Sequence, residues 1–160
     1  MYSGLLPIVA GNTSRELFFV FEVSAGAPVD ELVVWTNGGP GCSSLEAFFQ
    51  ENGRFTWQPG TYAPVRNQYA WSNLSNILFI EQPVGTGFST GEVTATTEEE
   101  IAQDVVKFLK NFEITFGISN YSIYVSGESY AGRYVPYISA AILDEKDTEY
   151  YDLKGEITSL

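Results

Sequence analysis

Short, dense apolar runs alternate along the chain with longer stretches in which apolar residues recur every three or four positions. Leu17-Phe18-Phe19-Val20-Phe21-Glu22-Val23 is too apolar for a strand with one wet face, so the pattern predicts a strand buried on both sides. The apolar Gly4-Leu5-Leu6-Pro7-Ile8 precedes it, and Gly26, Ala27 and Pro28 turn the chain after it. Leu32 to Thr36 and Asn76 to Glu81 predict two more buried strands, and Tyr121 to Val125, which alternates bulky and small residues, predicts another. Ile101, Val105, Phe108, Leu109, Phe112 and Phe116 keep helical spacing and predict an amphipathic helix laid against a sheet. Thr97-Glu98-Glu99-Glu100 supplies a capping box with acids suited to the helix dipole, and Gly117 ends the helix. Those acids are given no functional role. A second helix is predicted over Tyr130 to Leu143, and Ser43 or Ser44 is placed to cap a short one through Phe49, with Glu46 on its first turn. Gly53 to Asn73 shows no period and reads as a long surface loop, whose Trp57, Tyr62, Tyr69 and Trp71 are packing and rim groups. Strands alternating with helices predict an α/β fold with a mainly parallel sheet.

The chemistry gathers where predicted strands end. Leu32 to Thr36 runs into Asn37-Gly38-Gly39-Pro40-Gly41-Cys42. Such a cluster is either a tight loop or a set of free backbone N–H groups aimed at an anion, as an oxyanion hole or phosphate cradle requires. No G-x-x-x-x-G-K-[ST] follows, so a nucleotide P-loop is not supported. Asn76 to Glu81 runs into Gln82-Pro83-Val84-Gly85-Thr86-Gly87-Phe88-Ser89. The spacing of Gly85, Gly87 and Gly91 misses the dinucleotide fingerprint by one residue, and no helix opens on it. Tyr121 to Val125 runs into Ser126-Gly127-Glu128-Ser129-Tyr130-Ala131-Gly132. A strand, a sharp turn and a helix form the setting of a nucleophile elbow, and G-x-S-x-G is met at Gly127 and Ser129, with Ala131 for the last glycine. On these residues alone Ser129 is either a nucleophile or a loop serine.

Composition narrows the classes. The chain has 160 residues, 44% of them hydrophobic, enough for a buried core in one domain or a piece of one. A formal net charge of −12 repels phosphate backbones, which excludes nucleic acid as the expected partner. No apolar run approaches a membrane span, and the N-terminus lacks the charged start and apolar core of an export signal. Cys42 is alone, so no disulfide closes within the chain, a cysteine zinc cluster is excluded, and no metal or other cofactor is expected. Asn12, Asn73 and Asn120 head glycosylation sequons. There is no histidine, so the usual base that activates a serine is missing from these residues.

Trp35 to Ser44, Glu81 to Ser89 and Gly127 to Pro136 resemble, in order, three hallmark segments of the serine carboxypeptidases, and Ser3-Gly4 and Leu17-Phe18-Phe19 resemble that family's start. The resemblance covers nearly the whole chain. It implies the α/β-hydrolase fold, a secreted or vacuolar (lysosome-like) glycoprotein, and release of single residues from peptide or protein C-termini. It implies that Ser129 attacks the scissile carbonyl to form an acyl-enzyme while the N–H groups of Gly39 and Tyr130 hold the oxyanion. Asn37, Gly38, Glu51 and Glu128 match positions that hold the substrate's terminal carboxylate. Ionised glutamates repel a carboxylate, so at least one must be protonated, which implies activity at acidic pH.

In that family the triad's Asp and His follow the serine, beyond anything present here, and a disulfide partner for Cys42 is implied outside the chain as well. Leu153 to Leu160 starts like the family's next strand, yet Glu156 and the polar ending interrupt the apolar run. Residues 1–160 are therefore expected to be the N-terminal portion of a single carboxypeptidase domain, apparently truncated, with signal and pro-segments outside it. Two classes stay open: a hydrolase completed by further sequence, and an inactive relative or binder of peptide C-termini. Lipase-type esterase activity is a weaker third. The 160 residues alone are expected to hydrolyse poorly and to expose a sheet edge.

Overall fold

The computed structural model describes residues 1–159. Its elements are β1 (Tyr2–Val9), β2 (Asn12–Glu22), β3 (Glu31–Thr36), α1 (Leu45–Gln50), β4 (Phe55–Thr56), β5 (Val65–Arg66), a 3-10 turn (Trp71–Asn73), β6 (Asn76–Glu81), β7 (Thr90–Gly91), α2 (Glu98–Phe116), β8 (Ser122–Glu128), α3 (Ala131–Glu145) and β9 (Asp152–Ser159). Among the described residues the main sheet runs β1-β2-β6-β3-β8-β9, with β7 also pairing β2. β1, β2 and β6 pair antiparallel, whereas β6, β3, β8 and β9 run parallel.

Period-two alternation divides the apolar strand residues between two faces. Leu17, Phe19, Phe21, Leu32, Val34, Leu78, Ile80, Ile123 and Val125 join the core built with α2 and α3. Val20, Trp35, Ile77 and Phe79 pack on the other face with Ala47 and Phe48 of α1. Phe108 and Phe112 of α2 are fully buried, and Phe19 meets Phe112 and Phe116 edge-on at 5.4 and 5.8 Å. Burying each such ring stabilises the fold by about 1.5–3 kcal/mol. Helix α2 has its predicted ends. Thr97 Oγ1 accepts from Glu100 N–H at 3.3 Å, the Glu100 side chain accepts from Thr97 N–H, and Gly117 closes the helix at φ 65°.

The structure departs from the sequence reading in four places. The opening apolar stretch is itself an edge strand, joined to β2 through Ala10 and Gly11, and Pro7 is tolerated because an edge strand can spare a ladder hydrogen bond. The surface loop over residues 53–73 contains the short β4–β5 ladder and the 3-10 turn, with Trp71 edge-on to Trp35 at 5.2 Å, while Trp57, Tyr62 and Tyr69 are exposed. The N-cap residue Ser44 makes no side-chain cap bond to α1, because its Oγ is committed to Ile80 O and Asn37 N–H, and Ser43 Oγ instead accepts from Leu45 N–H at the helix start. Asp152 to Ser159 forms a full edge strand despite its polar residues, since the backbone ladder to β8 does not depend on side-chain polarity, and its exposed side chains suit an edge.

Candidate active site

The parallel strands β6, β3 and β8 lie side by side and end together, so the three loops that follow them share one edge of the sheet. Connections from β3 and β6 leave to opposite faces, through α1 and α2, which leaves a crevice at the strand ends where open α/β sheets bind ligands.

Ser129 stands at φ 56°, left-handed for a non-glycine residue, between β8 and α3 and exposed. That conformation costs about 1–2 kcal/mol and persists because the neighbours crowd the turn into it. A Cβ on Gly127 would come 2.3 Å from Thr36 O and 2.6 Å from the Ala131 Cβ. Only glycine fits there. Ala131, the departure from G-x-S-x-G, is fully buried against that same contact.

Gly38 lies against the elbow so tightly that a Cβ would come 2.4 Å from the Tyr130 nitrogen and 2.7 Å from Glu128 O. Gly39 follows at φ 107°, and Cys42 N–H donates to Gly38 O at 3.1 Å, closing the loop. The Gly38-Gly39 backbone thus reaches the Tyr130 nitrogen through Gly38, beside Ser129, and neither Gly39 N–H nor Tyr130 N–H finds an acceptor among the described residues. Unpaired donors at a helix start favour negative charge. Cys42 is exposed and free, and Asn12, Asn73 and Asn120 are exposed.

The loop after β6 is bound to the other two. Glu81 is 1% exposed, and its carboxylate accepts from Phe88 N–H at 2.6 Å and from the Ser43 hydroxyl. Gln82 Nε2 donates to Thr36 Oγ1 at 2.7 Å, and Thr36 Oγ1 donates to Asn37 O at 3.1 Å. Ser44 Oγ accepts from Asn37 N–H at 3.0 Å and donates to Ile80 O at 2.6 Å. Within the glycine-rich stretch from Gly85 to Gly91, Gly87 and Phe88 thus fold against the Glu81 carboxylate.

Asn37 is buried, with Oδ1 accepting from Trp35 Nε1 at 2.8 Å and Nδ2 donating to Glu128 Oε1 at 3.2 Å. Glu51, at the C-terminal end of α1, sits close enough to Glu128 for their side chains to hydrogen-bond. Its carboxyl is raised above the usual carboxylate range, first by loss of hydration, then by the Glu128 charge and hydrogen bond, and last by Glu46. Asn37, Glu51 and Glu128, which are far apart in sequence, thus form one polar cluster on the elbow's flank. Sequence reasoning missed the groups that set this cluster, Trp35 and Ser44, and it missed Glu98, which accepts a hydrogen bond from the Tyr130 hydroxyl. The sequence carried no periodic signal for these tertiary bonds.

Residues 1–158 match the sequence profile of the serine carboxypeptidase family. The chain is 69% identical over 157 residues to serine-type carboxypeptidase F of Aspergillus niger, covering 98% of this chain and 30% of that protein. It is 46% identical over 154 residues to a carboxypeptidase Y homolog of Arthroderma benhamiae, covering 96% of this chain and 31% of the relative. The solved structure of VinJ superimposes with a TM-score of 0.57 at 16% identity, over 98% of this chain and 43% of VinJ, a likeness of fold alone. The chain belongs to the serine carboxypeptidase family, an enzyme family, and has the α/β-hydrolase fold. It spans about a third of the length of the curated relatives it matches.

Proposed function

We propose that these residues form the nucleophile-bearing part of a carboxypeptidase domain that releases C-terminal residues from peptides. The observation that carries this reading is the positive-φ Ser129 with the Gly38-Gly39 backbone packed against the Tyr130 nitrogen. Ser129 Oγ attacks the scissile carbonyl, its proton passes to a base, the amine leaves, and water releases the acyl group. The Gly39 and Tyr130 N–H groups hold the oxyanion, each contributing about a hundredfold to a thousandfold in rate. The base is a histidine held by an acid; with no histidine among the 160 residues the base comes from outside them, and the family resemblance puts its acid there as well.

Asn37, Gly38, Glu51 and Glu128 take the substrate's terminal carboxylate. Because loss of hydration and the nearby Glu128 charge raise the Glu51 carboxyl, Glu51 holds a proton that it can donate to that carboxylate at acidic pH. As pH rises the proton leaves, repulsion takes over, and recognition is lost. The exposed sequons at Asn12, Asn73 and Asn120 support a secretory or vacuolar route, and Cys42 pairs with a cysteine outside these residues.

The test uses the full-length protein that carries this chain, an N-blocked dipeptide, and the same dipeptide as its C-terminal amide. Ser129→Ala is expected to abolish both turnover and labelling by a phosphonofluoridate. Glu128→Gln is expected to reduce the preference for the free acid over the amide and to flatten its decline toward neutral pH. Full turnover by Ser129→Ala would refute the nucleophile. An unchanged acid-to-amide ratio in Glu128→Gln would refute the carboxylate site. A second reading follows from the missing histidine: the 160 residues alone bind peptide C-termini without turnover, and calorimetric titration with a free and an amidated dipeptide distinguishes the two.

A further inference from the structure

Tyr130 has two roles at the elbow. Its backbone nitrogen faces Gly38, and its side chain joins a cleft of about 460 Å³ lined also by Pro40, Pro83, Glu98, Arg133 and Tyr137. The ring is edge-on to Tyr134 at 5.2 Å, Arg133 stands 5.9 Å from its centroid, and its hydroxyl donates to Glu98 Oε1. Tyr134 and Arg133 belong to α3, the helix that Tyr130 opens, so they move with it. Of these three contacts, only Glu98 comes from another element, the first turn of α2.

The helix dipole does not account for this acid. Glu98, Glu99 and Glu100 all lie in the first turn, and Glu100 alone completes the capping box. Glu99 and Glu100 are exposed, whereas Glu98 is half-buried on the cleft wall and holds a residue 32 positions away. A bond between a phenol and a carboxylate is charge-assisted and stronger than a neutral one. It raises the Tyr130 phenol above its ordinary value, the Glu98 hydrogen bond being the first cause. The turn it anchors is strained at Ser129, and a strained turn keeps its shape only where its neighbours fix it.

We infer that Glu98 is a positioning residue for catalysis: by holding the Tyr130 hydroxyl, it fixes the Tyr130 N–H where the oxyanion develops. This rests on the reading of Ser129 as nucleophile. Glu98 does not touch the reacting atoms; it acts through the residue after the serine.

The experiment places Glu98→Ala, Tyr130→Phe and their combination in the full-length protein, with kcat and KM measured on an N-blocked dipeptide. Each single change is expected to lower kcat about tenfold, with KM within about twofold, because an orienting bond is lost while the carboxylate site is untouched. The double variant is expected to be no worse than either single one, since both remove the same bond. Glu98→Gln keeps a carbonyl acceptor and is expected to recover most of kcat. Multiplied losses in the double variant, or a kcat for Glu98→Ala within about twofold of the parent, would overturn the inference. Ser129→Ala is measured alongside: its full turnover would refute the nucleophile itself, whereas its inactivity together with multiplied losses would refute only the role of Glu98.

Discussion

Glu81 and Glu113 are each 1% exposed, and their surroundings differ in almost every other respect. Glu81 ends β6 and meets donors: Phe88 N–H, the Ser43 hydroxyl, and a loop whose Gly87 leaves no room for a Cβ beside the carboxylate. Glu113 lies in the last turn of α2, where the helix dipole disfavours an acid, and neither of its carboxyl oxygens has a partner among the described residues. Asp147 adds negative charge from the segment after α3, and Lys110, which attracts Glu113, is already paired with Asp147 at 3.1 Å. Equal burial thus has opposite outcomes. A buried carboxylate with donors ties loops together, and one without donors takes up a proton.

The largest expected effect comes from removing the satisfied acid. Glu81→Ala strands the Phe88 N–H and the Ser43 hydroxyl and leaves a void, which should cost roughly 4 kcal/mol of folding stability. Urea denaturation at pH 5 measures it. A loss below about 1 kcal/mol would show that these donors are not what makes Glu81 tolerable.

Glu113 should behave in the opposite sense. Its carboxyl is pushed up from 4.5 to about 8, first by burial, then by Asp147, with Lys110 opposing. The folded state therefore holds a proton that the unfolded chain releases, so this contribution is complete below pH 4.5 and is lost as pH rises toward 8. The parent is expected to lose roughly 4–5 kcal/mol of stability across that window, and Glu113→Gln, which is neutral throughout, should be flatter by that amount. Glu51, also raised, contributes a slope of the same sign to both proteins, so the difference between the two curves isolates Glu113. Parallel curves would show that the carboxyl is not the buried acid it looks to be.

Legibility followed the same divide. The inner strands were readable because dense apolar runs such as Asn76 to Glu81 are buried on both faces. The outer strands were harder, since Pro7 in β1 and Lys154 and Glu156 in β9 blur the pattern while the backbone ladder still forms. The glycine-rich loops were readable as motifs, and the geometry explains why Gly38 and Gly127 must be glycine. Helical periodicity placed α2 but left its acids undifferentiated. Glu98, Glu100 and Glu113 share one helix and serve a tyrosine, a cap and a proton, and only the tertiary fold separates them.

The smallest expected effect sharpens the comparison most. Ser43 Oγ accepts from Leu45 N–H at 3.2 Å and donates to Glu81, so it joins the start of α1 to the loop after β6. Ser43→Ala removes one of the two donors to the Glu81 carboxylate and leaves the Phe88 N–H in place, which should cost about 1 kcal/mol in parent background. In a Glu81→Ala background the same change should cost clearly less, because only the bond from Leu45 N–H remains to be lost. Urea denaturation of the four proteins completes the cycle, and equal costs in both backgrounds would show that Ser43 stabilises α1 by itself. A clear coupling would establish that donors set the cost of burying an acid here, the condition that Glu113 lacks.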